Sequence, residues 1–150
     1  MGMYCRFVAV SGDAPAELSS WSDDQLVALF GGPEAVNINK AWEAVFPLVG
    51  SIAGTGGMMV DEPIPIGGDL AYGPAMFIEP EQVRAIAGKL ASADDATVEA
   101  HWTTLDSPFM QPGLYDDDLG KEFAMEAYRE TVTLFVSAAA KSQGVLFAIM

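Results

Sequence analysis

The chain has 150 residues, of which 51% are apolar, enough to bury one core without staples and too many for general disorder. Lys and Arg total 7 against 21 Asp and Glu, a net charge of −14. That balance excludes nucleic acid and anionic membranes as partners, because both are held through cationic side chains; basic proteins, metal cations and cationic ligands remain.

Residues 3–10, Met-Tyr-Cys-Arg-Phe-Val-Ala-Val, have the β-branched and aromatic content of a strand, closed by Ser11-Gly12-Asp13. Ser22 followed by Gln25 spells a capping box that opens a short helix through Phe30, and Gly31-Gly32-Pro33 stops it. A second helix is predicted from about Ile38 toward Gly50, capped by Asn37 or Asn39. In it Ile38, Ala41, Trp42 and Val45 share one face, and Pro47 is expected to kink or end it. Residues 50–68, rich in Gly and Pro, read as the longest irregular region.

Ala75-Met76-Phe77-Ile78 is a short strand, and Pro80 followed by Glu81 suits the first turn of a helix to about Leu90. Asp94-Asp95 open a further helix to about Leu105, with Val98, Trp102 and Leu105 inward. After a second loop at 106–118 comes the longest helix, Leu119 to about Lys141, with Phe123, Ala127, Leu134 and Ala138 expected on its buried face. Val145–Ile149 is an apolar final strand. Both ends of the chain are thus strands, expected in one small sheet packed against several helices. The prediction is a single α+β domain over 1–150.

No motif in the chain completes a catalytic or cofactor site. Gly50 to Gly57 has the glycines of a phosphate loop but no following Lys-Ser or Lys-Thr, and Asp61-Glu62 would repel an anion. Asp116-Asp117-Asp118 lacks the alternate spacing of a calcium loop and is better read as capping the last helix. Cys5 is the lone cysteine and His101 the lone histidine, too few for an internal disulfide or a structural zinc site. No catalytic residue, metal or cofactor is therefore expected. Trp42, Tyr72, His101 and Tyr115 are the candidates for lining a ligand site. The N-terminus has neither the basic nor the apolar region of a signal peptide. No apolar run approaches the roughly 18–20 residues of a membrane span, so a soluble, cytoplasmic protein is expected.

Ile38-Asn39-Lys40-Ala41-Trp42, Gly67-Gly68, Tyr72-Gly73-Pro74-Ala75 and Glu79-Pro80-Glu81-Gln82-Val83 occur in an order and spacing that resembles the YfbM-like family of small bacterial proteins. The resemblance covers nearly the whole chain. It implies a compact α+β fold in a bacterial cytoplasm and no established reaction. Two positions depart from the family pattern: Met76 stands where an arginine is typical, and Phe46 near where a histidine is common.

The functional expectation is a non-enzymatic acidic interaction module, an immunity-type or regulatory binder, that meets a basic protein partner. The alternative is a small-molecule binder or enzyme built on the 50–75 loop region. A plain homodimer is the third reading.

Overall fold

The computed structural model describes residues 3–55, 59–105 and 114–150. Its strands are β1 (Cys5–Val10), β2 (Val36–Asn39), β3 (Ile64–Ile66), β4 (Ala75–Ile78) and β5 (Gly144–Ile149). The helices are α1 (Ala14–Leu18), α2 (Asp23–Phe30), α3 (Trp42–Ala53), α4 (Pro80–Ser92), α5 (Asp95–Thr103) and α6 (Asp118–Ala140). The strands form one sheet in the order β2-β1-β5-β4-β3, every neighbouring pair antiparallel. The first and last strands pair along their whole length, from Cys5 opposite Ile149 to Val10 opposite Gly144. This is the single compact α+β domain, with a long C-terminal helix, that the sequence predicts.

Both faces of the sheet are covered. Cys5, Phe7, Ile78, Val145 and Phe147 point into a core shared with α3, α4 and α6. Val8, Ala75, Phe77, Leu146 and Ala148 point the other way, onto α1, α2 and Ile66. Burial on two sides explains why β4 and β5 are continuous apolar runs, where a strand with one wet face would alternate. Each fully buried Phe or Leu of these strands contributes about 1.5–3 kcal/mol over an exposed one.

Local signals place most helix starts. The Ser22 hydroxyl accepts from the Gln25 N–H at 3.2 Å, and the Gln25 side chain accepts from the Ser22 N–H at 2.8 Å, the capping box read in the sequence. Asp94 and Asp117 cap α5 and α6 through the Thr97 and Gly120 N–H groups. Gln82 accepts from the Glu79 N–H at 3.4 Å and donates to the Asp61 carbonyl at 2.9 Å, tying the start of α4 to the preceding loop.

Four expectations are corrected. Ile38 lies in β2, not in a helix; it is 2% exposed and reaches the same core as Ala41, Trp42 and Val45 from a strand. Asn39, at φ 53°, turns the chain before α3 begins at Trp42. The four residues share a face by tertiary packing, and their helical spacing is coincidental. Pro47 does not end α3, which runs on to Ala53: residues 42–50 are all buried, and packing outweighs one missing hydrogen bond. The 50–68 region is less irregular than its composition suggests, because it holds the end of α3 and also β3. Pro65 is accommodated there because β3 is an edge strand. Finally, the buried residues of α6 are Ala124, Met125, Ala127, Tyr128, Thr131, Phe135 and Ala138; of the four expected, Ala127 and Ala138 are among them, while Phe123 is 39% exposed and Leu134 half-buried.

Candidate functional site

The four residues picked from sequence occupy different settings. Trp42 opens α3, is buried against Phe46 with ring centroids 5.7 Å apart, and donates its indole N–H to the Met3 carbonyl at 3.2 Å. Tyr115 is buried beside Trp102, 6.5 Å between centroids, and its hydroxyl donates to the Lys40 carbonyl at 3.1 Å. It also reaches Glu43 Oε2 at 3.4 Å, and Glu43 is itself only 4% exposed. Burial first, then the charge of and hydrogen bond to Glu43, push the Tyr115 phenol well above its ordinary range. His101 Nδ1 lies 2.7 Å from Ser51 Oγ and joins α5 to the end of α3.

Tyr72 stands apart on the β3–β4 loop and is 50% exposed. Asp69 builds that loop by accepting from the Ala71 and Gly73 N–H groups, both at 2.9 Å, which holds its carboxyl below the usual range. Leu70 of the same loop packs on the α1–α2 face of the sheet, opposite the core that takes Trp42. The fold thus gathers the buried Tyr115 and Glu43 with the partly buried Trp102, with His101 next to Trp102 on α5, and leaves Tyr72 elsewhere.

Other motifs resolve into structural parts. Gly50 and Ser51 lie in the last turns of α3, and Gly54 at φ 78° ends it with its N–H on the Gly50 carbonyl. That is the carbonyl pole of a helix, the wrong end to attract a phosphate; residues 56–58 of the stretch lie outside the described residues. Asp117 and Asp118 cap and begin α6, as the sequence suggests. Among the described residues no group of three or more His, Cys, Asp or Glu is placed to hold a metal ion. Among them, too, no helix is long and apolar enough to cross a membrane.

One concavity among the described residues lies where sequence reasoning did not look. An open groove of about 820 Å³ separates β2 from α6, with Ala35, Val36 and Asn37 on one wall and Glu126, Glu130 and Leu134 on the other. A smaller pocket of about 130 Å³ continues it past Asn39 and Phe123. Arg129 also borders the groove, but its guanidinium pairs with Glu122 at 3.1 Å. Neither Glu126 nor Glu130 has an ion-pair partner among the described residues. Being i and i+4 on one helix, these two carboxylates repel, at a cost of about 0.2–0.5 kcal/mol. The signal was present in the sequence: Glu122, Glu126 and Glu130 recur every fourth residue, beside Phe123 and Leu134.

Another cleft of about 250 Å³, between α5 and α6, holds two ion pairs. Lys121 meets Glu99 there at 2.5 Å, and Glu122 meets Arg129. The Tyr128 hydroxyl, buried nearby, has no hydrogen-bond partner among the described residues, and burial raises its phenol.

An α+β domain with a doubly covered antiparallel sheet is the class these features define. The chain belongs to the family described as Domain of unknown function (DUF1877), whose model matches residues 1–148. No curated protein and no solved structure matches it.

Proposed function

We propose that this DUF1877 protein is a non-enzymatic interaction module that offers an acidic surface to a basic protein partner, as an immunity-type or regulatory binder. The observation that carries the reading is the groove between β2 and α6, walled by two carboxylates that have no ion-pair partner among the described residues. The net charge of −14 acts in the same direction over longer range, speeding encounter with a cationic surface and disfavouring acidic ones. The resemblance to the YfbM-like family supports a bacterial cytoplasmic setting for such a binder.

Affinity capture from native lysate, at about 50 and 300 mM salt and beside an unrelated protein of equal charge, tests the proposal. A stoichiometric basic protein retained at the higher salt, and absent from the control, is the expected result. Capture no stronger than the control's would end this reading. The alternative, a small-molecule site near the 50–75 region, draws its support from the Ser51–His101 contact, where a hydroxyl and an imidazole lie within proton-transfer distance. Ligand-dependent stabilisation that is lost in Ser51→Ala would favour it.

A further inference from the structure

We infer that the β2–α6 groove takes an extended basic peptide segment of the partner, which adds to the free edge of β2 and sets alternate Lys or Arg side chains against Glu126 and Glu130. The inference rests on the proposed function above and specifies its site and binding mode.

Three features of the fold converge on it. First, β2 is the outermost strand of the sheet, so one of its edges has no neighbouring strand among the described residues. The other outer strand, β3, carries Pro65, a residue that blunts an edge by removing an N–H. At the end of β2 the Asn37 side chain takes the Asn39 N–H at 2.9 Å, and the Ile38 carbonyl takes the Ala41 N–H at 3.1 Å. The Ala35 N–H is taken by the Gly32 carbonyl at 3.2 Å, so the stretch left open for backbone pairing is Val36 and Asn37, in the part that forms the groove wall.

Second, α6 has two working faces. Its buried residues, among them Ala124, Tyr128, Thr131 and Phe135, make the core stripe. Phe123, Glu126, Glu130, Leu134 and Ser137 follow one another at helical spacing on the groove side. Leu119, four residues before Phe123 and hence on the same side, is 82% exposed. Large apolar residues interleaved with unpaired carboxylates, along a cleft rather than scattered, are what an amphipathic cationic segment needs.

Third, the dimensions match. Residues 35–37 face the C-terminal part of this α6 face and residues 37–39 its N-terminal part, so strand and helix run antiparallel along the groove. From Phe123 to Ser137 the helix rises about 21 Å, the length of roughly six extended residues. Glu126 and Glu130 are about 6 Å apart along the axis, close to the roughly 6.6 Å between alternate side chains of a strand. Two alternate residues of an extended peptide would then meet Glu126 and Glu130, while its backbone pairs with β2.

The probe is a fluorescein-labelled hexapeptide of alternating Lys and Val, followed by fluorescence anisotropy at about 50 mM salt. An analogue N-methylated at each Val, and an alternating Glu–Val hexapeptide, serve as references. The Lys–Val peptide is expected to bind and to slow amide exchange at Val36 and Asn37, and the Glu–Val peptide not to bind. The variant Glu126→Gln/Glu130→Gln should weaken it at least ~10-fold more than Glu17→Gln/Glu62→Gln, which removes two exposed acids elsewhere, and N-methylation should cost a similar factor. Equal losses in the two double variants, or undiminished binding of the N-methylated peptide, would overturn the inference. Sedimentation showing that the groove joins two copies of this chain would do the same. If the captured partner is held equally by Glu126→Gln/Glu130→Gln, the groove is refuted and the interaction module stands.

Discussion

The Tyr115 hydroxyl and the Glu43 carboxylate face each other at 3.4 Å, both nearly sealed from solvent, and Tyr115 also caps the Lys40 carbonyl just before α3. Seventy-two residues separate them in sequence. The contact fastens the segment that precedes α6 to the start of α3, and it supplies a donor to a carboxylate that burial would otherwise leave costly.

Removing that donor should be expensive. Tyr115→Phe is expected to destabilise the protein by about 1–3 kcal/mol, the range for stranding a buried acceptor. Adding Glu43→Gln should cost less on the Tyr115→Phe background than on the wild type, because the two groups are coupled. Urea denaturation of the four proteins measures both effects.

The same pair sets a dependence on alkaline pH. The Tyr115 phenol is raised in the folded state above its ordinary value of 10.0. Above that value the unfolded chain releases a proton that the folded chain keeps, so stability is full below about pH 10 and is lost as pH rises beyond it. Tyr128, also raised by burial, contributes in the same direction. Melting temperature should therefore fall more steeply above pH 10 in the wild type than in Tyr115→Phe.

Close packing at the start of β5 predicts a sharp response to a single methyl group. A Cβ on Gly144 would sit 2.5 Å from the Phe77 ring and 2.7 Å from the Ile78 carbonyl. Gly144→Ala should cost about 1–3 kcal/mol by overpacking, read as a lowered thermal midpoint, with Gly88→Ala on open α4 surface as the mild control.

Asp69 organises the β3–β4 loop through two backbone N–H groups, and Ala71 is held at φ 139°, an unfavourable conformation for alanine. The Asp69 carboxyl is held below its ordinary value of 3.8, so this contribution is present above about pH 3.8 and lost as pH falls through the lower folded value. Amide exchange at Ala71 and Gly73 should accelerate in Asp69→Ala, and in the wild type at acid pH, while exchange in β5 stays slow.

Charge repulsion makes a prediction for salt. With a net charge of −14, the folded chain concentrates negative charge that the unfolded chain spreads out. The two ion pairs seen among the described residues are largely exposed and offset little of it. Raising sodium chloride from about 10 to 300 mM should therefore raise the melting temperature, since the Debye length shrinks from roughly 30 Å to below 8 Å. A fall would show that the ion pairs outweigh the repulsion.

The sequence by itself determined the elements whose signals are local. Ser22 with Gln25, Pro80 and the acids before α6 placed helix starts, because capping involves groups within one turn. The β-branched and aromatic residues near one end and the apolar run at the other announced strands, expected in one sheet, and they pair with each other. Tertiary structure decided the rest. Ile38 could pack with Trp42 from a helix or from a strand, and only the pairing of Val36 with Phe7 selects the strand. Pro65 signals a break unless the strand is known to be an edge, and Phe123 and Leu134 look like core until β2 fixes how α6 is rotated. The groove belongs to that second kind. Its walls lie about ninety residues apart in sequence, at 35–37 and 126–134, and no local pattern records that they face each other. Spacing along the chain reports which residues share a face of one element; which element that face meets is settled only when the whole core packs.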